Sequence, residues 1–294
     1  MGFVAAFAVV ILLTAGIYLF GYAIRRSSLL HVLFLETFIG LVLIFPLLLL
    51  ADKLSLGQIF TNLHRDNWLW LGAAALFGYA GGNYFSLMNL KNAGVKSNSL
   101  LSPAITSVTI LLSIVVFKEK LLWLQWLGIL ITLGAVVYFL LQSKNTGEVE
   151  NYKKGLVSGV LTILCISATI ICSVKGAAEN VSFLQAIWIR LLVAFIILLP
   201  FVFYAGFNKN KYQFSGKFYA AVIGAVICQT ILANYLWLYA SFHIGISVFQ
   251  VILATLPLCV YAVEVFILKK AVSSGTFLLV SVISAVGVCL VVYG

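Results

Sequence analysis

The stretch Glu36-Thr-Phe-Ile-Gly40-Leu-Val-Leu-Ile-Phe-Pro46 returns 154 residues later as Arg190-Leu-Leu-Val-Ala194-Phe-Ile-Ile-Leu-Leu-Pro200. The chain has only four prolines, and the other two, Pro103 and Pro257, are also 154 residues apart. Asn83-Tyr84 and Asn234-Tyr235 pair at 151, as do Gly94 and Gly245, while Gly134 and Gly287 pair at 153. A drift of three residues is what small loop insertions give. The second half therefore repeats the first, with residues 1–142 as one copy, 143–154 as a connecting loop and 155–294 as the other.

Both copies read as membrane. Of 294 residues, 63% are apolar and 9% charged, and the mean hydropathy is +1.15. A soluble domain carries roughly 25% charged residues, so a water-soluble fold is excluded. The 18 basic residues against 8 acidic ones could suggest nucleic acid. They are instead scattered through short loops between apolar segments, where positive-inside sorting accounts for them and no nucleic-acid partner is expected. All five cysteines fall inside apolar segments with no CxxC spacing. They read as small core residues, not as a disulfide framework or metal ligands. Residues 3–24 read as a span and not a cleavable leader, because Arg25-Arg26 follow the apolar run instead of preceding it.

A hydrocarbon core takes roughly 20 apolar residues per helix. Ten segments qualify: 3–24, 29–51, 68–90, 95–117, 121–142, 155–175, 181–205, 217–240, 245–268 and 275–293. The runs are continuous and do not alternate, so strands are excluded. The predicted fold class is an all-α integral membrane protein of ten transmembrane helices. Five spans per copy is an odd number, so the second copy is inverted relative to the first. Inverted repeats of this kind build secondary transporters with a site between the halves near mid-membrane.

Enzyme signatures are absent. There are two aspartates, Asp52 and Asp66, in one connection, and His31, His64 and His243 lie on different segment ends. No HExxH, GxSxG, Walker A or GxGxxG occurs, so no catalytic residue, metal or cofactor is expected. Ionisable groups inside a span are costly, near 2.5–3.5 kcal/mol on insertion scales, and are functional candidates for that reason. Three qualify as coupling or gating residues: Glu36, Arg190 and Glu264. Each has a plainer reading as well. Arg190 could snorkel, Glu36 could be wetted from its loop, and Glu264 could pair with nearby Lys269 and Lys270.

The paired Asn83 and Asn234 suggest a binding site, because an amide both donates and accepts and can orient a small polar ligand without a fixed charge. Tyr84, Tyr235 and Trp237 add apolar contact with a polar edge. Lys96, Asn98 and Gln250, near the starts of their spans, complete the candidate substrate-binding set. The plainer reading of the amides is interhelical glue.

Phe117-Lys-Glu119 followed by Trp123-Leu-Gln125-Trp-Leu-Gly128 and Gly134 is similar to a segment of the drug/metabolite transporter superfamily, EamA type. Arg190 with Pro200, and the run from Tyr239-Ala240 through Pro257, also resemble it. The likeness covers the whole chain. It implies ten helices, a cavity lined by helices 1, 3, 4, 6, 8 and 9, and alternating access. Glu36 departs from the family, which often has Arg there, and Lys270 stands near where the second copy often has Glu. The function expected is secondary transport of a small, amino-acid-like metabolite by export, with proton coupling open. The alternatives are multidrug efflux or, from other classes, an intramembrane enzyme or a non-transporting scaffold. The partners expected are a small-molecule substrate and the lipid bilayer, for a monomer or homodimer in a plasma membrane.

Twelve Lys and Arg fall on the side of the loops near 25, 91, 150, 210 and 270, and five on the other. That imbalance makes the former the cytoplasmic side, although the family resemblance implies cytoplasmic termini and so the reverse. A cysteine at Thr146 is expected to resist an impermeant thiol reagent in intact cells and to react after permeabilisation. Labelling in intact cells would reverse the orientation.

Overall fold

The computed structural model describes residues 1–52, 57–61, 63–117, 122–143, 151–177, 181–205, 215–269 and 275–293. The turn at Lys118–Lys120, most of the 143–154 connection and Lys270 lie outside the described residues. Among those described there are ten helical spans and no strand. Spans 1 and 2 are Gly2–Ile24 and Leu29–Leu50. Span 3 starts at Arg65, passes through the π-helical Leu76–Gly82 and continues in Asn83–Phe117, which also holds span 4. Spans 5, 6 and 7 are Trp123–Ser143, Tyr152–Gly176 and Phe183–Ala205. Span 8 runs through Gly216–Ala225, the π-helical Val226–Ala233 and Asn234–Ile244. Span 9 comprises Ile246–Leu253, Leu256–Ala262 and Val263–Ile267, and span 10 is Gly275–Tyr293.

Length and composition let six of these helices cross a membrane, while Trp123–Phe139 and Gly275–Leu290 are apolar but shorter. Span 3 begins three residues earlier than its apolar run suggests. A short helix, Gln58–Thr61, sits in the connection expected to be loop. Span 9, expected as one unbroken segment, is interrupted at Ala254–Thr255. Pro257 follows that break and cannot donate to a preceding turn.

The packing partners reveal the symmetry. Span 2 packs on span 7 and span 5 on span 10, each against its own counterpart. Span 1 packs on span 8, and span 6 on span 3, so each copy sends its first helix across to the other. The result is two bundles, spans 1, 8 and 9 and spans 3, 4 and 6. Small residues let them close. A Cβ on Gly78 of span 3 would meet Thr169 of span 6 at 2.8 Å, and one on Gly16 of span 1 would meet Gln229 of span 8 at 2.4 Å. The two contacts are the same interface with the small and polar partners exchanged. With little hydrophobic drive between helices in lipid, such close approach is what holds spans together.

The joins between spans 3 and 4 and between spans 8 and 9 are made at Gly94 (φ 82, ψ 178) and Gly245 (φ 82, ψ 146). Only glycine visits this backbone region without strain. Nothing lies within 4 Å of a Cβ at either position, so any penalty for a side chain there is purely conformational. Gly94→Ala and Gly245→Ala are each expected to destabilise by about 1–3 kcal/mol. Gly72→Ala, in a helix with equally open space, is expected to be neutral or stabilising by up to about 1 kcal/mol. Thermal unfolding of the purified variants checks both, and equal melting points for all three would contradict the account.

Candidate functional site

The two helices that carry the buried charges run in opposite directions. Glu36 is the eighth residue of Leu29–Leu50 and Arg190 the eighth of Phe183–Ala205. Equivalent depth on antiparallel spans places them at different heights, Glu36 toward the basic-rich end and Arg190 toward the other. Both are sealed from solvent, at 1% and 3% exposure. That removes the loop-wetted reading of Glu36 and the snorkelling reading of Arg190.

Their partners repeat the symmetry. Asn83 Nδ2 donates to Glu36 Oε1 at 2.9 Å, and Thr230 Oγ1 donates to the same oxygen at 2.9 Å. Arg190 Nη1 donates to Ser173 Oγ at 2.8 Å and Nη2 to Asn234 Oδ1 at 3.4 Å, while the guanidinium carbon lies 5.7 Å from the centre of the Tyr79 ring. Each charge is thus held by the asparagine of its own copy. It is also touched by the residue four positions before the other copy's asparagine: Thr230 before Asn234, Tyr79 before Asn83. Four residues is about one helical turn, close to 6 Å of rise. Along span 3 and along span 8 the residues that contact the carboxylate and the guanidinium are therefore one turn apart. The two charges form no ion pair with each other; within 4.0 Å the pair found among the described residues is Lys96–Glu264. Glu36 Oε2 and Arg190 Nε make no hydrogen bond.

The asparagines reach these positions through matching local distortions. A π-helical segment ends immediately before each, at Gly82 and at Ala233. The Asn83 N–H bonds back five residues to Gly78 O. Single π-turns of this kind recur at functional sites. Asn234 Nδ2 donates in turn to Gln229 O and Thr230 O.

Glu36, Asn83, Arg190 and Asn234 all line one cavity of about 220 Å³, with Asn98 and Trp237. Thr162, Thr169, Ser173, Gln229 and Thr230 add polar wall, and leucines and isoleucines of spans 1, 4, 6 and 9 add apolar wall. The lining comes from spans 1, 2, 3, 4, 6, 7, 8 and 9, hence from both copies. Asn98 is tied to Ser86, its Nδ2 donating to both O and Oγ at 3.0 Å.

The structure does not bring the remaining candidates into this cavity. Tyr84 packs edge-on to Phe85, and Tyr235 packs edge-on to Phe183 near the surface. A residue directly after the asparagine is turned about 100° away by helix geometry, whereas the residue three further on, Ser86 or Trp237, shares its face. Gln250 is buried and accepts from Thr106 Oγ1 at 3.0 Å, bonding spans 4 and 9. Lys96 Nζ lies 3.5 Å from Glu264 Oε2. Glu264 therefore pairs across the two copies, while Lys270, one of its two expected local partners, lies outside the described residues. Lys96 is committed to that contact instead of facing the cavity. Ser102 Oγ donates to Leu253 O at 3.0 Å, so three contacts run along the seam between spans 4 and 9.

Tyr79, Thr230, Ser173 and Gln229 are site residues that the sequence reading did not single out. A signal existed: Tyr79 and Thr230 are related by the same 151-residue offset as the asparagines. Among the described residues no three His, Cys, Asp or Glu gather as metal ligands would.

The profile of the EamA-like transporter family matches residues 1–141 and again 153–293. No curated protein matches the sequence. Among the solved structures it resembles is a crystal structure with a TM-score of 0.71, covering 99% of this chain and 97% of that one at 17% identity. At that identity the likeness speaks to the fold alone.

Proposed function

The chain belongs to the EamA-like transporter family, a multi-pass membrane transporter of small molecules, and on that premise we propose that it exports an amino-acid-like metabolite by alternating access. The observation that carries the proposal is a pair of buried, opposite, mutually unpaired charges, Glu36 and Arg190, on the wall of one cavity between the inverted copies. Taking an ion out of water costs several kcal/mol even after relaxation. Hydrogen bonds from neutral partners offset part of that for each charge. A ligand bearing both an ammonium and a carboxylate neutralises both at once, and a singly charged ligand only one. The cavity volume suits a molecule of amino-acid size, and its aliphatic lining suits an apolar side chain.

Rocking of the bundle of spans 1, 8 and 9 against that of spans 3, 4 and 6 would open the cavity to either side in turn. Glu36 is the carboxyl on the cavity wall through which proton coupling would run. Multidrug efflux is the weaker reading. An organic cation would meet Glu36 but would also meet the Arg190 guanidinium on the wall of the same cavity, which costs affinity.

A panel of the twenty amino acids, screened against purified protein by thermal shift, is expected to give stabilisation by at least one neutral apolar member, because ligand binding to the native state raises its stability. In proteoliposomes the same compound is expected to support counterflow, and Arg190→Ala to lose that flux by about tenfold or more while still inserting, since hydrogen bonds to charged groups are worth about 1.5–3 kcal/mol. Normal flux for Arg190→Ala, or no response to any amino acid, would overturn the proposal.

A further inference from the structure

Because Glu36 and Arg190 stand at equivalent positions of two inverted copies, the operation that exchanges the copies also exchanges the two charges. The surroundings are close to indifferent to the sign. Each charge is held by an asparagine, whose amide can turn to donate to a carboxylate or accept from a guanidinium. Asn83 does the first for Glu36 and Asn234 the second for Arg190. The hydroxyls of Thr230 on Glu36 and of Ser173 on Arg190 have the same freedom. What fixes the polarity of the cavity is thus the identity of residues 36 and 190, and little else in the wall.

We propose that Glu36 and Arg190 are the two poles of a dipolar site: Glu36 receives the substrate ammonium toward the basic-rich end, Arg190 receives the carboxylate toward the other, and exchanging the two residues inverts the bound substrate without abolishing the site. This rests on the transport reading above. Asn83 and Asn234 are positioning residues in it, since each already spends an amide group on its charge. Equivalent depth on antiparallel spans sets the two poles at different heights, so the substrate dipole lies partly along the membrane normal. Substrate therefore travels with one end leading, and the copies, although related by symmetry, are not interchangeable to it. Tyr79 is the one partner that favours a particular sign, because a ring face attracts a cation and not a carboxylate.

The test uses full-length protein in nanodiscs with three probes of one carbon skeleton: L-leucine, 3-methylbutylamine, which lacks the carboxylate, and 4-methylpentanoate, which lacks the ammonium. Calorimetric titration is run on wild type, Glu36→Gln and Arg190→Gln. The expected pattern is crossed. Glu36→Gln weakens the amine by about tenfold or more and leaves the acid within about twofold; Arg190→Gln does the reverse; both weaken leucine. The reversals Glu36→Arg and Arg190→Glu are each expected to lose leucine. The double exchange E36R/R190E is expected to recover it to within about tenfold of wild type, the shortfall reflecting Tyr79. Equal loss of amine and acid in each neutral variant would overturn the assignment of poles. A folded double variant no better than the single reversals would overturn exchangeability. If the double variant does not fold, the crossed pattern of the two neutral variants decides the matter alone. A crossed pattern with the amine and acid, in a protein that no amino acid in the panel stabilises, would leave the poles standing and remove the transport reading. Amino-acid counterflow without a crossed pattern would do the opposite.

Discussion

Two ionisable side chains buried inside an apolar bilayer protein, with no ion pair between them, constrain everything around them. Glu36 and Arg190 form no ion pair with each other; the first is held by Asn83 and Thr230, the second by Ser173 and Asn234. The protein meets the cost of burial with neutral hydrogen-bond partners, which hold each group in place without cancelling its charge. A side chain held so is poised to bind something. One pulled into a salt bridge, as Glu264 is by Lys96, is largely spent on structure.

The inverted duplication explains how such an arrangement arises from ordinary helix geometry. Duplication puts each feature on both sides of the cavity: a π-helical turn before an asparagine, a glycine-to-polar contact at the crossing of the first helix, a positive-φ glycine at each join. The side chains of the two copies have diverged widely, and two of the differences bear directly on the cavity charges. Residue 36 carries the opposite charge to residue 190, and Thr230 stands where the other copy has Tyr79. In the proposed alternating access, the inverted scaffold would supply one route from each side of the membrane. Its charges are asymmetric enough to give the substrate a fixed polarity.

Much of this was legible in the sequence. Proline spacing and apolar run lengths gave the duplication, the number of spans and the pairing of Glu36 with Arg190 and of Asn83 with Asn234, because repeat offsets and helix lengths are properties of the chain itself. What was not legible depended on which spans become neighbours. Lys269 lies five residues from Glu264, yet it takes a positive φ of 48° at the end of span 9. Lys96 begins span 4, and the antiparallel course of spans 4 and 9 brings it to the same end of the membrane. Tyr84 and Tyr235 looked attractive beside their asparagines, but adjacency in a helix means a different face. Gln250 could have turned to the cavity or to span 4, and no feature of its own segment chooses between them.

The proposed site requires a dipolar ligand to bridge Glu36 and Arg190. An experimental structure of the protein with a bound amino acid tests it most directly. The account predicts ligand density between the two residues, with the ammonium within hydrogen-bond distance of the Glu36 carboxylate and the carboxylate within reach of the Arg190 guanidinium, and with Asn83 and Asn234 still bonded to their charges. A structure in which Glu36 and Arg190 close into a direct ion pair while the ligand lies elsewhere would contradict it.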